Sequence, residues 1–285
     1  MSIPTKLHFK NTFAPKLQPM DLSKVRMVVT DMDGTLLNSN HEVSPLFFDL
    51  YDKLRNKNVE VVAASGRQYH SMTDKLSPIA DDMVFIAENG AIIRHRQETL
   101  LTTPLPLEFL DEIIIRARKV DQAHPVLCAA GNAFVDGTSS DFLTLLKEYY
   151  TDYAIAEDLG GVSEPILKVA IYHFKSSEEF IYPAFEDLEG QLKIKVSGNH
   201  WVDVSHPNAH KGFALEKLMK SRGITSDEIM VFGDFNNDLE MMALAEHSFA
   251  MENAHPNVVK AARYRAGSND NLGVERVLEE LLRQL

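Results

Sequence analysis

The sequence predicts an α/β fold, a doubly wound parallel sheet interrupted by an inserted α+β module. Two observations carry this. Both ends of the chain alternate short apolar strands, turns rich in acidic and small residues, and amphipathic helices. The middle replaces that alternation with paired short strands and helices.

At the first end, residues 25–30 are short, rich in β-branched side chains and followed by acidic residues and glycine, as a buried strand is. Ser44-Pro45 reads as an N-cap with proline at the first helical position. Phe47, Leu50, Tyr51 and Leu54 follow at helical spacing, and residues 59–64 form a second apolar strand. The three segments have the size of one βαβ unit. At the second end, residues 211–221 read as a helix closed by Gly223, and 229–232 as a buried strand. Residues 236–245 look helical, 248–251 read as a strand, and 271–285 as an amphipathic terminal helix.

Between them, residues 91–94 pair with 99–102, and 126–129 with 133–136. Helices are expected at 107–120, 141–150 and 177–188, and further strands at 166–174 and 192–196. The expected division is an extension over 1–24, core over 25–90, insert over 91–198 and core again over 199–285. The extension mixes polar and apolar residues and reads as flexible or loosely docked.

Composition narrows the function. The 285 residues are 45% hydrophobic and 25% charged, an ordinary globular balance. A net charge of −12 argues against nucleic acid and anionic membranes as general partners. No apolar run has the roughly 18 residues a bilayer span needs, and the N-terminus lacks a secretory apolar stretch. One cysteine, Cys128, excludes an intramolecular disulfide, and its apolar neighbours mark it as a packing residue. A reducing, cytoplasmic setting fits these features.

Four short motifs carry chemistry. Asp31-Met32-Asp33-Gly34-Thr35 directly follows the first strand, so its two carboxylates lie at the carboxyl edge of the sheet, where open α/β sheets bind ligands. Gly34 permits a sharp turn there. Gly233-Asp234-Phe235-Asn236-Asn237-Asp238 follows a second apolar strand. Its D-x-N-x-D core is not an EF-hand loop, since Leu239 and Ala245 stand where that loop needs glycine and glutamate. What remains is a carboxylate and amide cluster suited to a hard divalent cation. Ser65-Gly66-Arg67, ending the strand 59–64, offers a hydroxyl and free N–H groups to a phosphate. Lys211 stands at a helix start, after Asn208 and His210.

In this order the four motifs resemble those of the haloacid dehalogenase (HAD) superfamily of phosphotransferases. Glu88-Asn89-Gly90-Ala91, Lys211 to Leu215, Met251 to Ala254 and Ser268 to Val274 look like its Cof-type branch. The resemblance covers about residues 25–285 and implies a Rossmann-like core. The interval from Asp31 to Ser65 holds one helix and one strand, while that from Ser65 to Lys211 must hold the insert, which in family terms is a C2-type cap. The activity implied is Mg²⁺-dependent hydrolysis of a small phosphorylated metabolite through an aspartyl-phosphate. By resemblance, Asp31 is the nucleophile; Asp31, Asp234 and the backbone carbonyl of Asp33 hold Mg²⁺; Lys211 neutralises the transferring group. Ser65, with Gly66 and Arg67, orients that group, Asn89 and Asn237 contact phosphate, and Asp238 orients Lys211 or nearby waters. Asp33 protonates the leaving alkoxide and later deprotonates water, so its surroundings are expected to raise its pKa.

The cap is expected to close over the site and select the leaving group. Arg94, Arg96, Arg116, Arg118 and Lys168 are its candidate cationic contacts, while His173, Trp201, Met241 and Met242 read as packing residues. Two alternatives stand beside the phosphatase. A sugar phosphomutase would need a second phosphate site in the cap. A non-catalytic phosphometabolite-binding protein has no need of Asp31, Asp33 and Lys211 together.

Overall fold

The computed structural model describes residues 20–96, 98–137, 139–147, 150 and 153–285. The first half of the core runs β1 (Met27–Asp31), α1 (Pro45–Asn56), β2 (Glu60–Ala64), α2 (Tyr69–Lys75), β3 (Val84–Ala87), β4 (Ile92–His95) and β5 (Glu98–Thr102). The next segment holds α3 (Leu110–Lys119), β6 (Ala123–Ala129), β7 (Ala133–Val135), α4 (Ser140–Leu146), β8 (Ala154–Ile155) and β9 (Ile166–His173). It continues with α5 (Ser177–Phe180), β10 (Lys193–Val196) and β11 (Trp201–Ser205). The chain closes with α6 (Lys211–Arg222), β12 (Ile229–Gly233), α7 (Leu239–Met242), β13 (His247–Ala250), α8 (Pro256–Ala261), β14 (Tyr264–Arg265) and α9 (Gly273–Gln284).

The fold class is the expected one. An eight-stranded sheet has the order β14-β13-β12-β1-β2-β3-β4-β5. Its first six strands are parallel and the last two antiparallel. All five residues of β1 are buried, which is why the strand reads as a continuous run and not as an alternation. Alternation still assigns its faces. Val28 packs with α1 and α9 through Phe47, Leu50, Val274 and Leu278. Met27 and Val29 face Ala214, Leu215 and Leu218 of α6 and Met241 and Met242 of α7. Helices thus cover both faces.

Helix ends follow local chemistry. Ser44 caps α1 by accepting the Phe47 N–H at 3.2 Å. Gly223 closes α6 in the left-handed conformation, φ +62°. The expected helix over 177–188 is instead the short α5 followed by single turns. α2 and β3 escaped the sequence reading, because neither shows a long enough apolar period.

The second sheet is mixed, with the order β10-β11-β9-β6-β7-β8. Two assignments of the sequence reading differ here. The hairpin of β4 and β5, placed in the insert, extends the core sheet: Ile92 and Ile93 bury on its opposite faces, and Ala87 pairs with Ile92. A hairpin's alternation states that it has a partner, not which sheet supplies one. Conversely β11, placed after the insert, pairs antiparallel with β10 and β9 in the second sheet. Residues 1–19 of the expected extension lie outside the described residues. Core packing nonetheless begins before Val25: Leu22 is fully buried, and its N–H donates to Gln284 Oε1 at 2.9 Å.

Cys128 lies on β6 beneath α4, its sulfur 3.3 Å from the Tyr150 hydroxyl. Burial pushes its thiol up to about 12. At pH 8 roughly one thiol in ten thousand is then ionised. Native protein should therefore resist a thiol-specific disulfide reagent at pH 8 for hours, while urea-unfolded protein reacts within minutes. Rapid labelling of folded protein would contradict the packing shown.

Candidate active site

Asp31 ends β1 at the point where the chain's connections diverge, first toward β2 and later toward β12 on the other side. Such a switch point opens a crevice at the strand ends. Asp31 pairs in register with Ala64, so Ser65 follows beside it, and Gly233 at the end of β12 precedes Asp234. Three motifs far apart in sequence therefore meet along one sheet edge. The turn after Asp31 requires glycine: Gly34 has φ +77°, and a Cβ there would run into the Asp234 carboxylate. Thr35 Oγ1 donates to Asp234 Oδ1 at 3.0 Å, bracing the two loops. Asn253 Nδ2 donates to the Gly34 carbonyl at 2.7 Å and Asn269 Nδ2 to that of Leu37 at 2.9 Å. Ser39 Oγ donates to Asp270 at 2.7 Å. The two C-terminal Asn/Asp segments thus act as the outer support of the loop after Asp31, a role their sequence alone did not state.

Lys211 opens α6 with its side chain fully buried. The His210 imidazole caps that helix, Nδ1 accepting the Phe213 N–H at 3.1 Å. The Lys211 ammonium donates to Asp31 Oδ1 and, at 2.7 Å, to Asp238 Oδ1. Burial would strip its proton, but the two carboxylates outweigh burial and hold its pKa above the usual lysine range. The other oxygen of Asp238 accepts the N–H groups of Asp234 and Phe235 at 3.0 and 3.1 Å. Asp238 thereby accepts three hydrogen bonds from the protein. The Asp31 carboxyl is pushed well up by burial, with Lys211 opposing and Asp238 and Asp234 adding to the push. Burial and Asp238 raise Asp234 as well. Asp31, Asp234 and Asp238 each place an oxygen within 4.8 Å of the others, a group able to hold a metal ion.

Asp33 lies above this cluster in a bidentate pair with Arg67, whose Nε and Nη2 donate at 2.7 and 2.6 Å. His41 Nδ1 stands 3.4 Å away. Burial raises the Asp33 carboxyl, but Arg67's bonds and charge, helped by His41, leave it below the usual range. The sequence reading expected a raised value, and the guanidinium two residues after Ser65 is the reason for the opposite sign. Arg67 itself, expected at the phosphate, spends its fork on Asp33. Ser65 is buried, and its Oγ accepts the Arg67 N–H at 3.1 Å. Gly66 lies against the Asn89 side chain, which accepts from Asn237 Nδ2 at 2.9 Å.

Residues 28–278 match the sequence profile of the haloacid dehalogenase-like hydrolases. The chain belongs to this family. A 5-amino-6-(5-phospho-D-ribitylamino)uracil phosphatase of Escherichia coli (strain K12) is 28% identical over 262 residues, covering 91% of this chain and 97% of the relative. A crystal structure from Eubacterium rectale matches with a TM-score of 0.85 at 26% identity, over 90% of this chain and 99% of that one. A structure described as a HAD subclass IIB sugar phosphatase shares the fold with a TM-score of 0.73 at 20% identity, over 90% and 98%. This HAD-like hydrolase is thus a Cof-type phosphatase, a phosphoric monoester hydrolase acting on phosphorylated metabolites.

In this phosphatase the second sheet reaches over the crevice. A cavity of about 400 Å³ is lined by Asp31, Asp33, Ser65, Asn89, Asp234 and Asn237 from below, and by Lys195, Ser197 and Asp203 of the insert. Of the five cations the sequence put forward, Lys168 alone comes near: it forms an ion pair with Glu88 at 2.8 Å, with Asp203 at 3.7 Å. Arg94 lies over the Tyr69 ring, Arg96 pairs with Asp82, Arg116 with Glu112 and Asp187, and Arg118 faces Asp136. Lys195 was missed. Its one signal was the K-x-K alternation of β10, legible only once the facing of that sheet is known. Met241 and Met242 pack in the core as expected, and His173 bonds the Asp121 carbonyl. A larger apolar groove of about 940 Å³ along the linkers to the second sheet shares no residue with the carboxylate cavity.

Asp238→Ala leaves Lys211 with one counter-charge and two N–H groups unpaired. It should lower stability to urea by about 3–5 kcal/mol; a loss below about 1 kcal/mol would refute the role given to that network.

Proposed function

We propose that the protein is a Mg²⁺-dependent phosphatase that hydrolyses a small phosphorylated metabolite through an aspartyl-phosphate on Asp31. The observation that carries this reading is the charge of the cluster at the ends of β1 and β12. Its three carboxyl groups face one ammonium among the described residues, and burial and mutual repulsion push Asp31 and Asp234 up, a penalty that a bound hard divalent cation would relieve. Asp238 already accepts three protein hydrogen bonds, so Asp31, Asp234 and the backbone carbonyl of Asp33 are the groups that would hold Mg²⁺. When bound, the ion screens the phosphate dianion from the attacking carboxylate.

The chain's own residues do the rest. The Asp31 carboxylate attacks phosphorus, the bond from phosphorus to the ester oxygen breaks, and Asp33 gives its proton to the departing alkoxide. Lys211, Ser65 and the N–H groups that follow it balance charge on the phosphoryl oxygens. Asn89 and Asn237 contact that group from the side. Water then attacks phosphorus while Asp33 takes its proton, the bond from phosphorus to Asp31 breaks, and phosphate leaves. Asp33 starts this cycle ionised and paired with Arg67, so it must leave that fork and take up a proton from solvent before it can serve as the acid. Substrate entry is the event that would separate them.

The second sheet is the cap in this reading, running over 103–205, with the core at 20–102 and 206–285. The E. coli relative is named for a phosphorylated ribitylamino-uracil and a structural relative for sugar phosphates. Phosphorylated ribityl compounds and sugars are accordingly the first substrates to offer.

The deciding assay is phosphate release from such a panel with Mg²⁺ or EDTA. Release should require the metal and fall at least about 100-fold in Asp31→Asn. Asp33→Asn should accumulate phosphorylated protein and turn over slowly. More than a few percent of wild-type activity in Asp31→Asn would rule out that nucleophile. Mg²⁺ should also raise the melting temperature of wild type and not of Asp234→Ala.

A further inference from the structure

The second sheet has two faces, and alternation assigns every strand residue to one of them. Ile194, Val204, Val169 and Leu127 pack on the side of α3. The opposite face carries, in register, Lys195, Asp203, Ala170 and Val126 as one row, and Lys193, Ser205, Lys168 and Cys128 as the next. α4 covers the Val126, Cys128 and Ala170 end of this face. The end formed by β10 and β11 stays open and looks into the carboxylate cavity, where Lys195, Ser197 and Asp203 stand opposite Asp31 and Ser65.

The cations around this cavity are accounted for, with one exception. Lys211 is bonded to Asp31 and Asp238, Arg67 to Asp33, and Lys168 to Glu88. Lys193, two residues before Lys195 and on the same face, donates to the Ala209 carbonyl at 3.2 Å. The Lys195 ammonium is half-buried and has no hydrogen bond and no carboxylate within 4.0 Å among the described residues. Asp203, directly opposite in register, lies 3.7 Å from Lys168 instead. Burial lowers the proton affinity of Lys195, outweighing the charge of Asp203, which raises it. A partly desolvated cation held by no hydrogen bond costs folding energy.

We propose that Lys195 is a substrate-contacting, specificity-determining residue, whose ammonium binds an oxygen of the leaving group. The phosphoryl end of the cavity already has its donors, Lys211, Ser65 and the following N–H groups, all from the core. Lys195 enters from the opposite wall. There Ser197 and Asp203 continue into an adjoining space of about 350 Å³ lined by Tyr150, Lys168 and Trp201. An alcohol leaving group projects toward that wall, so a charge-assisted hydrogen bond from Lys195 would favour oxygen-rich alcohols over apolar ones.

The inference rests on the phosphatase reading, and one experiment separates their failures. Wild type, Lys195→Met and Lys195→Arg are compared on the best hydroxylated ester of the panel and on phenyl phosphate, whose leaving group has no further oxygen. Lys195→Met should lower kcat/KM for the hydroxylated ester at least about tenfold, mainly through KM. It should leave phenyl phosphate within about twofold, with Lys195→Arg recovering part of the loss. Equal losses on both esters, or none on either, would overturn the assignment while leaving the phosphatase standing. Wild type without metal-dependent release from either ester would remove the phosphatase reading itself. Unchanged melting curves for the two variants keep a folding defect from counting as support.

Discussion

Everything at this site is organised around one fully buried ammonium. Lys211 reaches from the first turn of α6 into the gap between the ends of β1 and β12, where Asp31 and Asp238 receive it. An unpaired lysine there would cost several kcal/mol in desolvation. The two carboxylates remove that cost only if α6, β1 and the loop after β12 are all seated. The pair therefore fixes the relative position of three elements widely separated in sequence. It also leaves Asp31 oriented toward the crevice, beside the carboxyl of Asp234. The ion network that seats these elements is also the carboxylate group able to hold a metal ion.

A single turn transmits this arrangement to its neighbours. Glu88, Asn89 and Gly90, between β3 and β4, all have positive φ, at +50°, +54° and +97°. Two non-glycine residues in that region cost about 1 kcal/mol or more each. The contacts that hold them there are specific. Asn89 meets Asn237 and Gly66, and Glu88 reaches Lys168 of the second sheet. Gly90 lies so close to the His210 carbonyl that a Cβ would not fit. The residue next to Lys211, the Ser65 loop and the second sheet are thereby joined through three residues.

The second sheet divides its labour by face. Its α3 side is an ordinary apolar core, which gives the module its own packing. Its other side is apolar under α4 and charged where α4 does not reach, and that charged part overlies the carboxylates.

What the sequence by itself determined was local. Each strand followed by a carboxylate or hydroxyl was legible, because an apolar run and the turn after it are set by neighbouring residues. Ser44 as a cap, Gly223 as a helix stop and Cys128 as a buried thiol were legible for the same reason. The tertiary structure decided pairings. It put the β4–β5 hairpin in the core sheet and β11 in the second, since an alternating strand fits any sheet edge. It turned Arg67 onto Asp33 and reversed the expected shift of that carboxyl, and it sent four of five candidate arginines and lysines to other partners. It also left Lys195 with no hydrogen bond among the described residues. Charges attract over several ångströms whatever their sequence separation, so which carboxylate a cation meets depends on how the sheets are stacked and not on the residues beside it in the chain.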